Sequence, residues 1–344
     1  MKTVLGIETS CDDTSICILT DTGKFPKILA HKSFTQEEIL KSWGGVVPEI
    51  AARNHLEKLV PLLKSAFQEA NLKPTNIDLI GVTTTPGLLG PLLTGLNSAK
   101  TLSLMFKKPI RAVNHLFAHL EAIHLDQEVS YPYLGLLISG GHTAFLWVTN
   151  PTDFKIIGST IDDAAGEAFD KGGKLMNLGY PAGRLVDNLS KDGNPEAFTF
   201  PIGLKSSADC RFSFSGLKTA LRVQIDKQPS MIDKPNPDLC ASYQKAIVDA
   251  LLLKTRYAVK KIKEDYGILD FPIVLGGGVA CNSEIRKRFK EKYNNAVFVK
   301  PEFCTDNGAM IANYALRTFD QKIDFPESLS LDSRGRFLDK KDFN

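Results

Sequence analysis

The sequence predicts an α/β protein built from two domains of like topology. The length, 344 residues, exceeds what one hydrophobic core comfortably holds. Short β-branched runs alternate with segments of helical period. A strand, a small polar turn and a second strand occur near the N-terminus and again after Tyr133, an architectural repeat whose residues barely match.

In the first copy, Val4–Ile7 and Ser15–Leu19 are strands, joined by the polar segment Glu8-Thr9-Ser10-Cys11-Asp12-Asp13-Thr14. Such a tip offers hydroxyls and amides to phosphate, and Asp12 or Asp13 to a cation or a proton; a plain surface turn has the same composition. Pro48–Ala70 has helical spacing, with Pro61 a point for a bend and His55 a structural or solvated residue. Ile77–Val82 reads as a buried strand, and Thr83–Gly90 as a turn-rich crossing into a helix over Leu92–Met105.

Ile110–Val113 is a short strand that delivers Asn114-His115-Leu116-Phe117-Ala118-His119. On a helix, His115 and His119 share a face one turn apart and suit a single cation that needs a third ligand. His124, nine residues beyond His115, points away from the pair.

In the second copy, Leu134–Ile138 and Ala144–Val148 flank Ser139-Gly140-Gly141-His142-Thr143. Ile161–Lys171 has helical content and many carboxylates, Leu178–Gly183 is a turn, and Asp187 follows on a helix, either gripping a ribose diol or lying on a solvated face. Phe198–Leu204 and Phe212–Thr219 read as edge strands before a helix, and Leu239–Lys263 as a long helix. Phe271–Leu275 runs into Gly276-Gly277-Gly278 and a helix from Ser283, an order that lets a nucleotide approach the backbone. Ala296–Val299 is the last strand. Asp306, before the helix ending near Leu316, is either its N-cap or a third metal ligand, and the tail after Phe319 is expected to be polar and loosely held.

A net charge of +3 argues against a general nucleic-acid coat, but Lys107, Lys108 and Arg111, or the helix bearing Arg286, Lys287, Arg288, Lys290 and Lys292, offer phosphate contacts or a merely solvated face. Six cysteines without a CxxC pair read as reduced thiols, and the early acidic residues and lack of an eighteen-residue apolar run predict a cytoplasmic protein that does not span a membrane.

Eight ordered motifs, GIETSCDD (6–13), GGVVPEIAAR (44–53), NHLFAH (114–119), SGGHT (139–143), DDAAGEAFDK (162–171), FSFSGLKT (212–219), GGVACN (277–282) and CTDNGAMIA (304–312), closely resemble the TsaD family over nearly the whole chain. The resemblance implies two tandem ribonuclease-H-like domains of the actin and sugar-kinase type with a nucleotide cleft between them. The first would cover 1–108, completed by a helix at about 306–320; the second 109–305, with the metal and nucleotide sites; and 321–344 would be a tail. It also implies one divalent metal, iron(II) ahead of zinc, on His115, His119 and Asp306, with the nucleotide half of the substrate on Asp170, Gly183, Asp187 and Asn282. Leu137, Ile138, Ser139, Gly140 and Gly141 would lie against the phosphate and acyl end. Thr85, Phe117, Asp13 and Ala182 depart from the family pattern without removing a metal ligand.

The implied reaction transfers threonylcarbamoyl from threonylcarbamoyl-AMP to N6 of adenosine 37 in ANN-decoding tRNAs and releases AMP. Expected partners are tRNA, a TsaB-type pseudo-enzyme and a TsaE-type small ATPase. From loop chemistry, Ser139 and the Gly140 and Gly141 amides are candidates to support the oxyanion, and Asp12 to accept the proton. One rival is a metallopeptidase, disfavoured because an HExxH enzyme has its base where Leu116 stands. The other, a non-catalytic nucleotide-gated scaffold, has no need of an open metal site.

Overall fold

A computed structural model describes residues 1–41, 43 and 45–335. The chain forms two compact units, one of residues 1–128 with 305–344 and one of residues 129–304.

The first unit is built on β1 (Thr3–Glu8), β2 (Asp13–Thr20), β3 (Lys27–Thr35), β4 (Leu79–Thr85) and β5 (Ile110–Asn114), in the order β3-β2-β1-β4-β5. The first three pair antiparallel; β4 and β5 extend the sheet parallel to β1. Its helices are α1 (Glu37–Lys41), α2 (Pro48–Ala70), α3 (Leu89–Phe106) and α4 (His115–Glu121).

The second unit repeats the plan with β6 (Tyr133–Ile138), β7 (Thr143–Asn150), β8 (Asp153–Ser159), β9 (Ile273–Gly276) and β10 (Ala296–Phe298), in the order β10-β9-β6-β7-β8. Again three strands form an antiparallel meander and two run parallel to its first strand. Its helices are α5 (Ala165–Leu175), α6 (Gly183–Ser190), α7 (Ser215–Lys227), α8 (Pro237–Tyr266), α9 (Ser283–Lys292) and α10 (Pro301–Cys304), and α11 (Gly308–Arg317) returns to the first unit.

The period of two along a strand organises the first unit. On β1, Leu5 and Ile7 enter the core with Ile80, Val82, Leu59 and Leu96, each burial stabilising by roughly 1.5–3 kcal/mol. Gly6 and Gly81 face the other way, toward α11: a Cβ on Gly6 would lie 2.3 Å from Gly308 O, and one on Gly81 2.6 Å from Ala315 Cβ. Hydrogen at these two positions lets α11 lie directly on the sheet. Glu8 and Thr83 share that face, at the carboxyl ends of β1 and β4.

Five features differ from the sequence reading. The compact units part at 128/129 and not at 108/109, because β5 pairs with β4 and draws the histidine stretch into the first sheet. Strands β3 and β8 were not anticipated; as half-buried edges they lack a clean apolar alternation. Residues 198–204 form no strand, and Phe212 makes only a lone bridge to Thr160. Residues 322–335 are not loose: Ile323 bridges Ile110, Ser328 Oγ meets Ser103 Oγ at 2.9 Å, and Arg334 N donates to Thr84 O at 2.9 Å. Residues 336–344 lie outside the described residues.

Candidate metal and nucleotide sites

The first unit gathers His115, His119 and Asp306. Asn114 ends β5 and caps α4, its Oδ1 accepting from Leu116 N at 2.9 Å and Phe117 N at 3.3 Å. That cap starts the helix at His115 and sets His119 one turn on, both buried. At the head of α11 the N-cap is Asn307, whose Oδ1 accepts from Met310 N at 2.9 Å. Asp306 is thereby left to face the histidines.

His119 Nε2 lies 3.1 Å from both His115 Nε2 and Asp306 Oδ1, and His115 Nε2 lies 3.4 Å from the same oxygen. Donors about 2.1 Å from one tetrahedral metal would be separated by about 3.4 Å. Two ring nitrogens and a carboxylate oxygen converging this closely without a proton for every pair is a donor set suited to a cation, and it fits the metal that the resemblance implies. His124 is not in the group.

Behind the donors stands a residue to which the sequence reading gave no role. Glu8, fully buried, places Oε2 3.3 Å from His115 Nδ1, accepts from Thr83 Oγ1 at 2.5 Å, and takes Ser10 N on Oε1 at 2.6 Å. Ser10 Oγ adds a contact to the same Nδ1 at 3.1 Å. A carboxylate on Nδ1 holds the proton there and leaves Nε2 basic. The available signal was the alternation along β1, which puts Glu8 on one face with Gly6.

Burial disfavours charge on His115, yet the Asp306 and Glu8 carboxylates outweigh it and raise its pKa to about 10. Burial, reinforced by the charge on His115, lowers that of His119. Burial opposes ionisation of Asp306 as well, but the two histidines hold its carboxyl well below the usual range. Asp12 and Asp13 belong to the same unit; burial and then the charge of Asp306 push both upward, Asp13 to about 7. His55 is structural, its ring between Thr14 Oγ1 at 2.7 Å and Cys11 O at 3.0 Å.

The second unit gathers the other predicted residues. Ser139 closes the turn after β6, its N donating to His142 O at 2.8 Å and its Oγ accepting from His142 N at 3.2 Å. A Cβ on Gly140 or Gly141 would meet open space, so this turn leaves room for a ligand. Gly277 does need to be glycine: its φ is +91°, and a Cβ would lie 2.5 Å from Ile138 O.

Asp170 Oδ1 accepts from Ala182 N at 2.8 Å and Gly183 N at 3.3 Å, fixing the start of α6. Asp187, on α6, accepts from Ser283 N at 3.0 Å and Ser283 Oγ at 2.8 Å. Asn282 caps α9 through Ile285 N at 3.0 Å and donates to Gln244 Oε1 at 2.7 Å. Asp170 is thus bonded to Gly183 at the start of α6, and Asp187 of α6 to Ser283, the residue after the Asn282 cap at the N-terminus of α9, a favourable place for an anion. The Leu137–Gly141 turn is packed behind it through Gly277.

The expected phosphate-contact arginines are engaged within the chain. Arg111 bonds Thr318 Oγ1 and Gln321 Oε1, Arg286 bonds Ala280 O and Val299 O, and Arg288 pairs with Asp249. Among the described residues, no helix is long and apolar enough to cross a membrane.

Two five-stranded mixed sheets of like strand order, each with its helices, define an α/β protein of the actin and sugar-kinase type. Solved structures share this fold: full-length HypF in its phosphate- and nucleotide-bound form (TM-score 0.57, 14% identity, 93% of this chain and 46% of that one), and component A of (R)-2-hydroxyglutaryl-CoA dehydratase from Acidaminococcus fermentans (TM-score 0.53, 17% identity, 92% and 99%). The TsaD family model, described as tRNA N6-adenosine threonylcarbamoyltransferase, matches residues 27–313. Proteins of that name from Thermosipho africanus and Anaeromyxobacter sp. are each 46% identical, over 95% of this chain and 97% of the relative, and over 90% and 92%. The chain belongs to the TsaD family.

Proposed function

We propose that this chain carries out the reaction for which its family is named, transferring threonylcarbamoyl from threonylcarbamoyl-AMP to N6 of adenosine 37 in ANN-decoding tRNAs with release of AMP. The observation that carries this reading is the convergence of His115, His119 and Asp306, backed by Glu8, in a chain that matches threonylcarbamoyltransferases almost end to end.

His115, His119 and Asp306 would hold one divalent metal, iron(II) ahead of zinc, which when bound supplies a Lewis acid and a template with open positions. Asp170, Gly183, Asp187 and Asn282 hold the nucleoside half of the adenylate; the turn from Leu137 to Gly141 receives its phosphate and acyl end. Because an exocyclic amine is a weak nucleophile, positioning and oxyanion support dominate, the latter from Ser139 and the Gly140 and Gly141 amides. Asp12, whose carboxyl is pushed upward by burial and Asp306, accepts the amine proton. The protein acts in the cytoplasm beside a TsaB-type pseudo-enzyme and a TsaE-type ATPase. Leu116, buried and aliphatic, stands where a peptidase would need its base.

The test is incubation of the purified protein with synthetic threonylcarbamoyl-AMP, metal and unmodified tRNA, followed by nucleoside mass spectrometry. Threonylcarbamoyl-adenosine is expected. Its absence, even with both partner proteins added, would overturn the reading.

A further inference from the structure

The second unit has a basic cavity that takes no part in the proposed chemistry. It has a volume of about 480 Å³ and is lined by Lys171, Lys174 and Leu175 of α5 and by Lys218, Thr219 and Arg222 of α7. These positions, three and four apart, form one face of each helix. Lys171 is already paired with Asp163 at 2.5 Å and Glu167 at 3.4 Å. The side chains of Lys174, Lys218 and Arg222 make no hydrogen bond or ion pair among the described residues.

The cavity is held in shape by residues of two sequence motifs at positions that take no part in the proposed chemistry. Asp162 Oδ1 accepts from Phe214 N at 2.8 Å and Ser215 N at 3.3 Å, while Oδ2 takes Ser213 Oγ at 2.5 Å and Ser215 Oγ at 2.9 Å. Four bonds to one carboxylate fix the start of α7 relative to the segment leading into α5. At the other end, Ala165 N donates to Thr143 Oγ1 at 2.9 Å, and Gly166 is seated so closely that a Cβ would lie 2.5 Å from Ser139 O. Eight residues at 1.5 Å each separate Gly166 from Lys174, about 12 Å along α5. Lys174 thus stands at the far end of the helix that Gly166 seats against the Ser139 turn and that also carries Asp170.

Three uncompensated cations around one concavity repel each other until an anion joins them. A guanidinium fork, two ammonium groups and a hydroxyl match a phosphate, whereas Arg111, Arg286 and Arg288 are already bonded internally. We propose that the cavity between α5 and α7 binds a backbone phosphate of the tRNA substrate and so positions it toward the Ser139 turn; this rests on the function proposed above.

The test measures binding of unmodified tRNA to the full-length protein by fluorescence anisotropy across a salt series, for wild type and for Lys218→Ala/Arg222→Ala. The double variant should bind at least about tenfold more weakly, and its log affinity against log salt should flatten by about one, the loss of one neutralised phosphate. Lys218→Arg/Arg222→Lys, which keeps both charges, should recover the slope, and threonylcarbamoyl-AMP binding should be unchanged in every variant. Unaltered tRNA affinity and slope in the double alanine variant would overturn the proposal. So would a variant that loses only inorganic pyrophosphate binding, since the cavity would then serve a free phosphate. A wild-type protein that neither binds nor modifies tRNA overturns the parent reading with it, a result distinct from tRNA binding that ignores the cavity.

Discussion

Glu8 Oε2 lies 3.3 Å from His115 Nδ1, with Thr83 Oγ1 donating to the same oxygen. An amide in its place would still accept from Thr83 but could no longer hold the proton on Nδ1 by charge. Glu8→Gln is expected to weaken metal affinity ten- to a hundredfold while all three donors stay in place. Competition against a chelator of known affinity measures this; an unchanged affinity would remove Glu8 from the centre.

Asp306 and Asn307 are neighbours with separable tasks. In wild type, metal at about a hundred times its dissociation constant should stabilise the fold by about 2.7 kcal/mol. Asp306→Asn should abolish that metal-dependent increment. Asn307→Ala, which deletes the cap of α11, should cost about 1 kcal/mol and retain the increment. Thermal melts with and without metal read both, and a reversed pattern would return Asp306 to a capping role.

The metal-free protein should lose stability as pH rises from about 6.5 to 10. His115 is raised above its ordinary value, to about 10, so its contribution is fully present below about 6.5 and is lost as pH passes through the folded value. Metal binding requires the neutral ring and should therefore release a proton at pH 7–8 and tighten as pH rises. Calorimetry in buffers of different ionisation enthalpy counts that proton.

Asp12→Asn should lower the transfer rate by about a hundredfold or more, the usual scale of general-base loss, and leave adenylate binding intact. Single-turnover kinetics separate the two effects. Unchanged turnover would exclude Asp12 as the proton acceptor.

Lys254 is fully buried on α8, its ammonium donating to Leu204 O at 3.0 Å, Ser207 O at 2.9 Å and Asp209 O at 3.2 Å. Lys254→Met strands those carbonyls, at a cost of roughly 2–4 kcal/mol. The 204–211 loop contains exposed Lys205 and Arg211. Tryptic nicking there should accelerate, and an unchanged digestion pattern would show that the loop is held by other means.

The repeated hairpin was legible because strand, small polar turn and strand recur with apolar runs on both sides. The edge strands β3 and β8 were not, since half-buried edges carry mixed residues. His115 and His119 were visible as a helical pair; by local pattern alone Asp306 competed with a cap, and only the three-dimensional choice of Asn307 as cap released it. The role of Glu8 is not legible in sequence because it depends on Gly6 and Gly81 admitting α11 against the sheet, contacts more than two hundred residues apart in the chain. The cavity between α5 and α7 required knowing which cations were already paired.

The docking of α11 on Gly6 and Gly81 also sets a timetable for synthesis. His119 precedes Asp306 by 187 residues, so at ribosomal rates the third ligand follows the second by roughly 10–40 s. During that interval the nascent chain holds only a dihistidine half-site beside a sheet face not yet covered. Metal capture in its final form is thus a late event, coupled to the arrival of the helix that seals the sheet.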